Sequence, residues 1–554
     1  MTPETTGKRA AARLTRAIAL ILLVALPSSV LRTSGSARAQ GRAADTPVRG
    51  GILTQGFQND LATLDPAIGY DWNNWPAEKM VFDGLLDYNQ GTTLEPRLAA
   101  SMPTVSKDGR TYTFTLRKGV LFQNGRELTS ADVAYSINRV LDPKTKSPGS
   151  SFFLSIAGAQ AMANGKAATA SGIKVLSRYV IQFTLTQPDT TFLNVLAMNF
   201  AYIVPKEVVA KEGANFGHAP VGTGPFLLKQ WIAGQKLVFV RNPHYFYEGL
   251  PYLDGVTFLI GLAPEVALLR LESGQLDMLA DPIPAADFVS IKNNPKYAGD
   301  LVRYVQPETT YLTMNTQIAP FNNVKVRQAV NMAIDKTRVV QLSAGRGVVA
   351  DQILPPLMPG YDPSYKGYAH DPAAAKKLLA QAGYPNGFST QLYVLNVDPQ
   401  PRIAESFQSD LAQIGIKVSI VPLASATLVD QAGTPKKAAM VWSGGEAWLQ
   451  DFPDPSDFYG PILGCDSAVQ GGWNWPFFCD KKLDAMAAHL KVMPDSAARY
   501  AGYKTLYSDV MAQAPWVPVI NNVAYVMHSP QIHGNATDFT HNVHTFFYER
   551  LWKH

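Results

Sequence analysis

Residues 448–459 carry the side chains with the clearest chemistry in this sequence. The stretch combines three carboxylates, two prolines and several aromatic rings. Proline removes backbone donors, so the composition favours a fixed loop over a strand interior or a helix. Asp451 follows the apolar run Met440-Val441-Trp442 and Gly444-Gly445, where a strand is expected to end. A carboxylate held there can pair with a ligand cation.

Asp454 and Asp457 have a second interpretation. Aspartate near proline is typical of turns and helix caps, and Trp448 and Phe458 would then fill a core. The ligand-binding and structural interpretations both stay open for these two carboxylates. Asp451 is the residue that we favour for ligand binding.

The N-terminus has the pattern of an export signal. Basic residues precede an apolar run at 17–26, and Ala37-Arg38-Ala39 follows it. This predicts a cleavable signal peptide over residues 1–39. The run is too short for a permanent membrane anchor, and no later stretch approaches the roughly 18 apolar residues of a transmembrane helix. No cysteine closely follows the run, so a lipid anchor is not expected and the periplasm is the predicted compartment.

The charge balance excludes one class of partner. The chain has 49 basic and 44 acidic residues, and residues 1–39 contain six of the basic and one of the acidic residues. The remaining chain therefore has 43 of each and a net charge of zero. Nucleic-acid recognition normally needs a basic surface, so no nucleic-acid partner is expected.

The two cysteines, Cys465 and Cys479, lie shortly after Asp451. In an oxidising compartment such a pair is expected to form a disulfide rather than a metal site. Closing this loop would contribute about 3 kcal/mol in the chain-entropy picture, and it would stiffen the region around Asp451.

Periodicity predicts an α/β protein. Residues 111–117 alternate between apolar and polar side chains, as a half-buried strand does, and Thr129 with Asp132 predicts a capped helix. Strands and helices alternate through residues 310–425. This alternation is typical of mixed, largely parallel sheets.

An aromatic loop is predicted near the start of the mature chain, with Tyr70, Trp72 and Trp75 on it. The polar neighbours of the two tryptophans favour rings that line a surface, although large rings also pack in cores. Both interpretations stay open.

Short motifs run along nearly the whole mature chain, and together they are specific. In order they are Thr63-Leu64-Asp65-Pro66, Phe82-Asp83-Gly84-Leu85, Leu94-Glu95-Pro96, Asp108-Gly109-Arg110-Thr111-Tyr112-Thr113-Phe114, Gly222-Thr223-Gly224-Pro225-Phe226, Arg241-Asn242-Pro243, Met314-Asn315-Thr316, Val326-Arg327-Gln328-Ala329, Ala382-Gly383-Tyr384-Pro385 and Asp451-Phe452-Pro453-Asp454-Pro455. With these motifs the chain resembles the peptide/nickel family (family 5) of extracellular solute-binding proteins that serve ABC importers.

The resemblance implies a type II periplasmic binding protein fold, with two hinged α/β lobes and an extra subdomain. The ligand would be enclosed between the lobes. By analogy the chain divides into lobe I at 40–85, 206–312 and 521–554, an inserted subdomain at 86–205 and lobe II at 313–520.

The resemblance also implies a function and a site. The protein would capture a di- or oligopeptide and deliver it to a membrane permease, as a monomer and without a cofactor. Asp451 would pair with the peptide's α-ammonium and Trp448 would lie against the peptide. Asp60 and Leu61 resemble a strand near the hinge that meets the ligand backbone, and Arg402 would reach a ligand carboxylate.

The sequence also allows other ligands and activities. Trp72 and Trp75 are bulky for a loop that faces the cleft, which leaves open an oligosaccharide stacked on rings; a nickel chelate is possible within the family. The acidic loop could serve a hydrolase, but no catalytic motif is present, and we expect no enzyme. His541 and His544 are more typical of surface or core histidines than of metal ligands, and no metal site is predicted.

Overall fold

The computed structural model describes residues 46–71, 73–89, 91–540 and 546–554, and residues 47–554 form one compact unit. The predicted signal peptide, Trp72, His541 and His544 lie outside the described residues. Within these ranges no helix is both long and apolar enough to cross a membrane.

Most strands are short, and several of them alternate buried and more exposed residues, as in a sheet with one packed face. In chain order they are β1 Ile52–Gly56, β2 Leu86–Tyr88, β3 Leu94–Pro96, β4 Thr104–Val105, β5 Thr111–Thr115, β6 Ile173–Ser177, β7 Val180–Thr184, β8 Phe226–Ile232, β9 Lys236–Arg241, β10 Gly255–Leu259, β11 Met278–Leu279, β12 Leu301–Val305, β13 Glu308–Met314, β14 Gly347–Val349, β15 Phe388–Leu395, β16 Ile416–Leu423, β17 Met440–Trp442, β18 Trp448–Leu449, β19 Trp516–Met527, β20 Ile532–His533 and β21 Trp552–Lys553.

Most of the α-helices bury some of their apolar residues. They are α1 Asn74–Val81, α2 Ser130–Leu141, α3 Ala159–Ala163, α4 Phe192–Val195, α5 Lys206–Glu212, α6 Pro264–Glu272, α7 Ala285–Asn293, α8 Val324–Ala333, α9 Lys336–Leu342, α10 Pro372–Gln381, α11 Gln400–Gln413, α12 Ser425–Ala432, α13 Gly460–Leu463, α14 Lys481–Val492 and α15 Ala497–Gln513.

A four-stranded sheet, in the order β4-β5-β7-β6, belongs to the predicted inserted subdomain. Tyr112 and Phe114 on β5 are buried, with threonines on the other face, so the predicted half-buried strand is confirmed. The predicted helix cap is also confirmed: the backbone amide of Thr129 donates to Asp132 at 2.8 Å at the start of α2.

A five-stranded sheet and an eight-stranded sheet form the rest of the framework. The first has the order β11-β1-β10-β9-β8; the second follows β12-β19-β13-β17-β15-β16, with β14 on β19 and β18 on β13. Strand β19 has 12 residues and pairs with β12, β13 and β14. Strand β13 crosses the predicted lobe boundary at 312/313, and β19 crosses the one at 520/521. These two antiparallel strands therefore connect the two predicted lobes. The lobe boundaries themselves stay a prediction.

The mixed α/β class is confirmed, but the prediction of largely parallel sheets is wrong. In the described chain the parallel pairs are β1 with β10 and β11, and β15 with β16 and β17. The other pairs are antiparallel. The predicted alternation of strands and helices is present at β15-α11-β16. The antiparallel ladders of the long strand β19 join segments far apart in the chain and leave no local pattern.

Candidate ligand-binding site

The acidic loop begins at the edge of the large sheet. Strand β18, Trp448–Leu449, pairs with β13, where Thr309 lies opposite Trp448. The Gln450 amide then donates to the Pro307 carbonyl at 3.1 Å. These bonds fix the backbone up to Asp451, where the chain leaves the sheet.

Asp451 is buried, with 5% of its surface exposed. Its Oδ1 accepts a hydrogen bond of 2.8 Å from the hydroxyl of Tyr70. Its Oδ2 is also buried and accepts no hydrogen bond from any described residue. No lysine or arginine of the described chain forms an ion pair with it. One carboxylate oxygen is thus left for a donor from outside the protein.

Asp457 fixes the loop from the inside. Its Oδ2 accepts the Asp451 amide at 2.8 Å and the indole N–H of Trp448 at 3.4 Å. Burial raises the pKa of Asp451 to about 7, although the hydrogen bond from Tyr70 acts in the opposite direction and lowers it. Burial also raises the pKa of Asp457, and the neighbouring charge of Asp451 adds to this rise. Two buried acids side by side make an environment that favours a cation.

Asp454 has a structural role. Both guanidinium NH2 groups of Arg499 donate to its carboxylate, at 2.7 and 2.9 Å, and both side chains are buried. Its Oδ1 also accepts the Ser456 amide at the start of a short 3-10 turn. The structural interpretation is therefore correct for Asp454, and the bonds of Asp457 within the loop support the same interpretation there.

Trp448 contacts Trp473, a tryptophan that the sequence analysis did not single out. The Trp448 ring, 8% exposed, meets Trp473 edge-on at 5.9 Å, and Trp473 stacks on Trp475. Trp473 keeps 37% of its surface exposed. The predicted disulfide between Cys465 and Cys479 is confirmed, and it closes the segment that carries both rings.

Asp60 and Leu61 do not lie in a strand, because β1 ends at Gly56. The prediction of a strand is therefore wrong for these two residues. The Asp60 carboxylate instead accepts hydrogen bonds from the backbone amides of Leu61 at 2.8 Å and Gly234 at 2.6 Å. The Leu61 side chain is buried in an apolar core. Contact of this segment with a ligand stays a prediction.

Trp75 lies in helix α1 rather than in a loop, so the loop prediction is wrong for this residue. It is 3% exposed, its indole N–H donates to the Gly69 carbonyl at 3.2 Å, and it belongs to an apolar core. The core interpretation, left open by the sequence, is the correct one. Its ring still lies next to Tyr70, at 5.9 Å between centroids.

Arg402 is on α11 with its side chain 55% exposed, and it donates twice to Asp398, at 2.7 Å each. This i,i+4 ion pair holds the guanidinium on the helix surface. The structure does not bring Arg402 into contact with Asp451 or Tyr70, and its predicted contact with a ligand carboxylate remains untested.

Comparisons with known proteins define the class of this molecule. A family model, bacterial extracellular solute-binding proteins, family 5 Middle, matches residues 93–470. Heme-binding protein A of Haemophilus influenzae is 32% identical over 495 residues, which cover 85% of this chain and 87% of that protein. The glutathione-binding protein GsiB of Escherichia coli K12 is 28% identical over 86% of this chain and 90% of its own length.

Solved structures agree with this class. The periplasmic binding protein DppA of Helicobacter pylori, in complex with the peptide STSA, has a TM-score of 0.75 at 26% identity and covers 92% of this chain and 99% of its own. The fold is therefore the two-lobed fold of periplasmic binding proteins. The chain belongs to family 5 of the bacterial extracellular solute-binding proteins.

Proposed function

We propose that this protein captures a peptide with a free α-ammonium group and delivers it to the membrane permease of an ABC importer. The family match supports transport, and the names of relatives that bind a peptide or glutathione support the ligand class. We further propose export by the predicted signal peptide, the lobe boundaries given above, and a binding role without catalysis.

The observation that carries this proposal is the buried, unpaired Oδ2 of Asp451. A buried carboxylate with no cation is costly. A ligand ammonium would supply the missing charge and donor in a charge-assisted hydrogen bond. Closure of the lobes would add contacts that only the closed state makes, and these extra contacts are what allow a ligand to shift the equilibrium.

The test is a binding screen by calorimetry with the mature protein. Di- to pentapeptides with free N-termini are compared with their N-acetylated forms, with glutathione, with oligosaccharides and with nickel chelates. We expect binding of free-amino peptides, weakened by about 2–5 kcal/mol in Asp451→Asn because a buried charge pair is broken. Asp254→Asn, whose side chain is 59% exposed and pairs with Arg241, is the control and should bind as the wild type does.

Three results would contradict the proposal. Equal binding of free and acetylated peptides would show that the ligand's ammonium group makes no contact that contributes to affinity. Binding of oligosaccharides or nickel chelates, without binding of peptides, would show that the ligand belongs to another class. Mass spectrometry that detected a changed ligand would indicate catalysis.

A further inference from the structure

We propose that Tyr70 is a positioning residue for the ligand's ammonium group: its hydroxyl holds Oδ1 of Asp451 so that Oδ2 remains free for the ligand. The inference rests on the proposed function. Tyr70 and Asp451 are 381 residues apart in the chain, and they fall in different predicted lobes. Their hydrogen bond therefore joins the two sides that are expected to enclose the ligand.

The ring of Tyr70 is held by two other aromatic side chains. Its centroid lies 5.2 Å from that of Phe200 and 5.9 Å from that of Trp75, and Trp75 is itself fixed by its bond to Gly69. Tyr70 as a residue is 41% exposed, so rigid neighbours rather than complete burial direct the hydroxyl. A donor held in this way selects one orientation of the carboxylate.

The groups that face Asp451 and Tyr70 are acids rather than bases. Burial, followed by the charges of Asp451 and Asp457, raises the pKa of the Tyr70 hydroxyl. Tyr70 therefore stays protonated and donates. The next acid, Asp454, is already paired with Arg499.

Two further titratable groups near Asp457 are Tyr88 and Tyr507. Burial, followed by charges that include Asp454 and Asp457, raises the pKa of both hydroxyls, so both tyrosines are neutral. Within the described residues, Tyr70 is thus the donor that stabilises the ionised form of Asp451.

This arrangement makes the effect of Tyr70 visible in a pH profile. The ligand's ammonium needs Asp451 ionised, so affinity should fall as the pH falls through the pKa of Asp451. The Tyr70 hydrogen bond lowers that pKa. Tyr70→Phe removes the bond, and the midpoint of the affinity profile should move to higher pH.

The experiment measures the dissociation constant of trialanine by calorimetry from pH 5.5 to pH 9. We expect Tyr70→Phe to bind roughly tenfold more weakly than the wild type near pH 7, the effect of one hydrogen bond to a charged group. This difference should narrow toward pH 9, where both proteins bind more weakly because the α-amino group of trialanine loses its proton at about pH 8. Tyr368→Phe is the matched control, because its hydroxyl donates to the Met511 carbonyl at 2.9 Å. This control should follow the wild-type profile.

Two binding results would overturn the inference. An equal loss at every pH would indicate a structural role only. Tighter binding by Tyr70→Phe would show that the hydroxyl competes with the ligand.

A ligand-free measurement separates this inference from the proposed function. A double-mutant cycle of unfolding with Tyr70→Phe and Asp451→Asn should show coupling at pH 8 that weakens at pH 5, where the acid is protonated. If no peptide binds but this coupling is present, the proposed function fails and the positioning of Asp451 by Tyr70 stands. Absence of coupling at pH 8 overturns the inference even if peptides bind.

Discussion

Asp451 and Asp454 are three residues apart on one loop and are both buried, but only Asp454 has a cationic partner among the described residues. The two carboxylates therefore contribute to different properties of the protein. The ion pair with Arg499 stabilises the loop, while the unpaired acid keeps a place for a ligand at a cost in stability. Such a cost is typical of binding sites.

The first prediction concerns the stability of Asp451→Asn without ligand. The pKa of Asp451 is about 7 in the fold, against about 3.9 in an unfolded chain. An acid with a raised pKa destabilises the fold progressively as the pH rises from about 4 to about 7. Asp451→Asn should match the wild type near pH 4 and exceed its free energy of unfolding at pH 8 by roughly 2–4 kcal/mol, as measured by denaturant titration.

Asp454→Asn is the opposite control. It leaves the buried Arg499 unpaired and should lower the free energy of unfolding by about 3–5 kcal/mol at pH 8. If Asp451→Asn is less stable than the wild type at pH 8, the Asp451 carboxylate must have a stabilising partner in the folded protein, and the prediction is refuted.

At the scale of elements, the segment between Cys465 and Cys479 supports the site. It carries Trp473 and Trp475, and the edge of Trp473 packs on Trp448. Removing the disulfide as Cys465→Ser with Cys479→Ser should lower the free energy of unfolding by about 3 kcal/mol, the chain-entropy estimate for a loop of this size. Intrinsic tryptophan fluorescence during denaturant titration would measure this change.

Reduction of the wild type provides the control for this prediction. A reducing agent should bring the wild type to the stability of the double variant and leave that variant unchanged. Equal stability of the oxidised wild type and the double variant would show that packing alone holds the segment.

Elements with a strong local signal could be predicted from the sequence. The alternation around β5 and the Thr129 cap each lie within a few residues, and both were confirmed. Trp75 could not be placed, because the same polar neighbours precede a loop or the first turn of a buried helix. Tyr70 and Asp451 are 381 residues apart, so no spacing rule predicts their contact. The disulfide could be predicted because the sequence has only two cysteines and the expected compartment is oxidising.

At the scale of the whole molecule, a second set of contacts joins the predicted inserted subdomain to the predicted lobe II. The Thr190 amide donates to the Lys491 carbonyl at 3.2 Å, and the Thr190 hydroxyl donates to the Met493 carbonyl. Asp189 also lies 3.7 Å from the Lys491 ammonium. These contacts border a cavity of about 700 Å³ whose lining comes from both regions.

The last prediction is that Thr190→Val weakens peptide binding without changing its pH profile. The variant loses a hydrogen bond between the two regions, worth about 1 kcal/mol, and so lowers the population of the closed state. An apparent dissociation constant rises in proportion as the competent state becomes rarer, so we expect an increase of roughly fivefold at every pH. Calorimetry measures the affinity, and small-angle scattering should show a larger radius of gyration for the ligand-free variant.

Thr316→Val is the control, because it removes a hydroxyl-to-carbonyl bond of 2.9 Å, to Phe477, that stays within predicted lobe II. It should leave both the affinity and the radius of gyration as they are in the wild type. A pH-dependent loss in Thr190→Val would instead connect this contact to Asp451. An unchanged affinity would show that the Thr190 contact does not distinguish the open from the closed state.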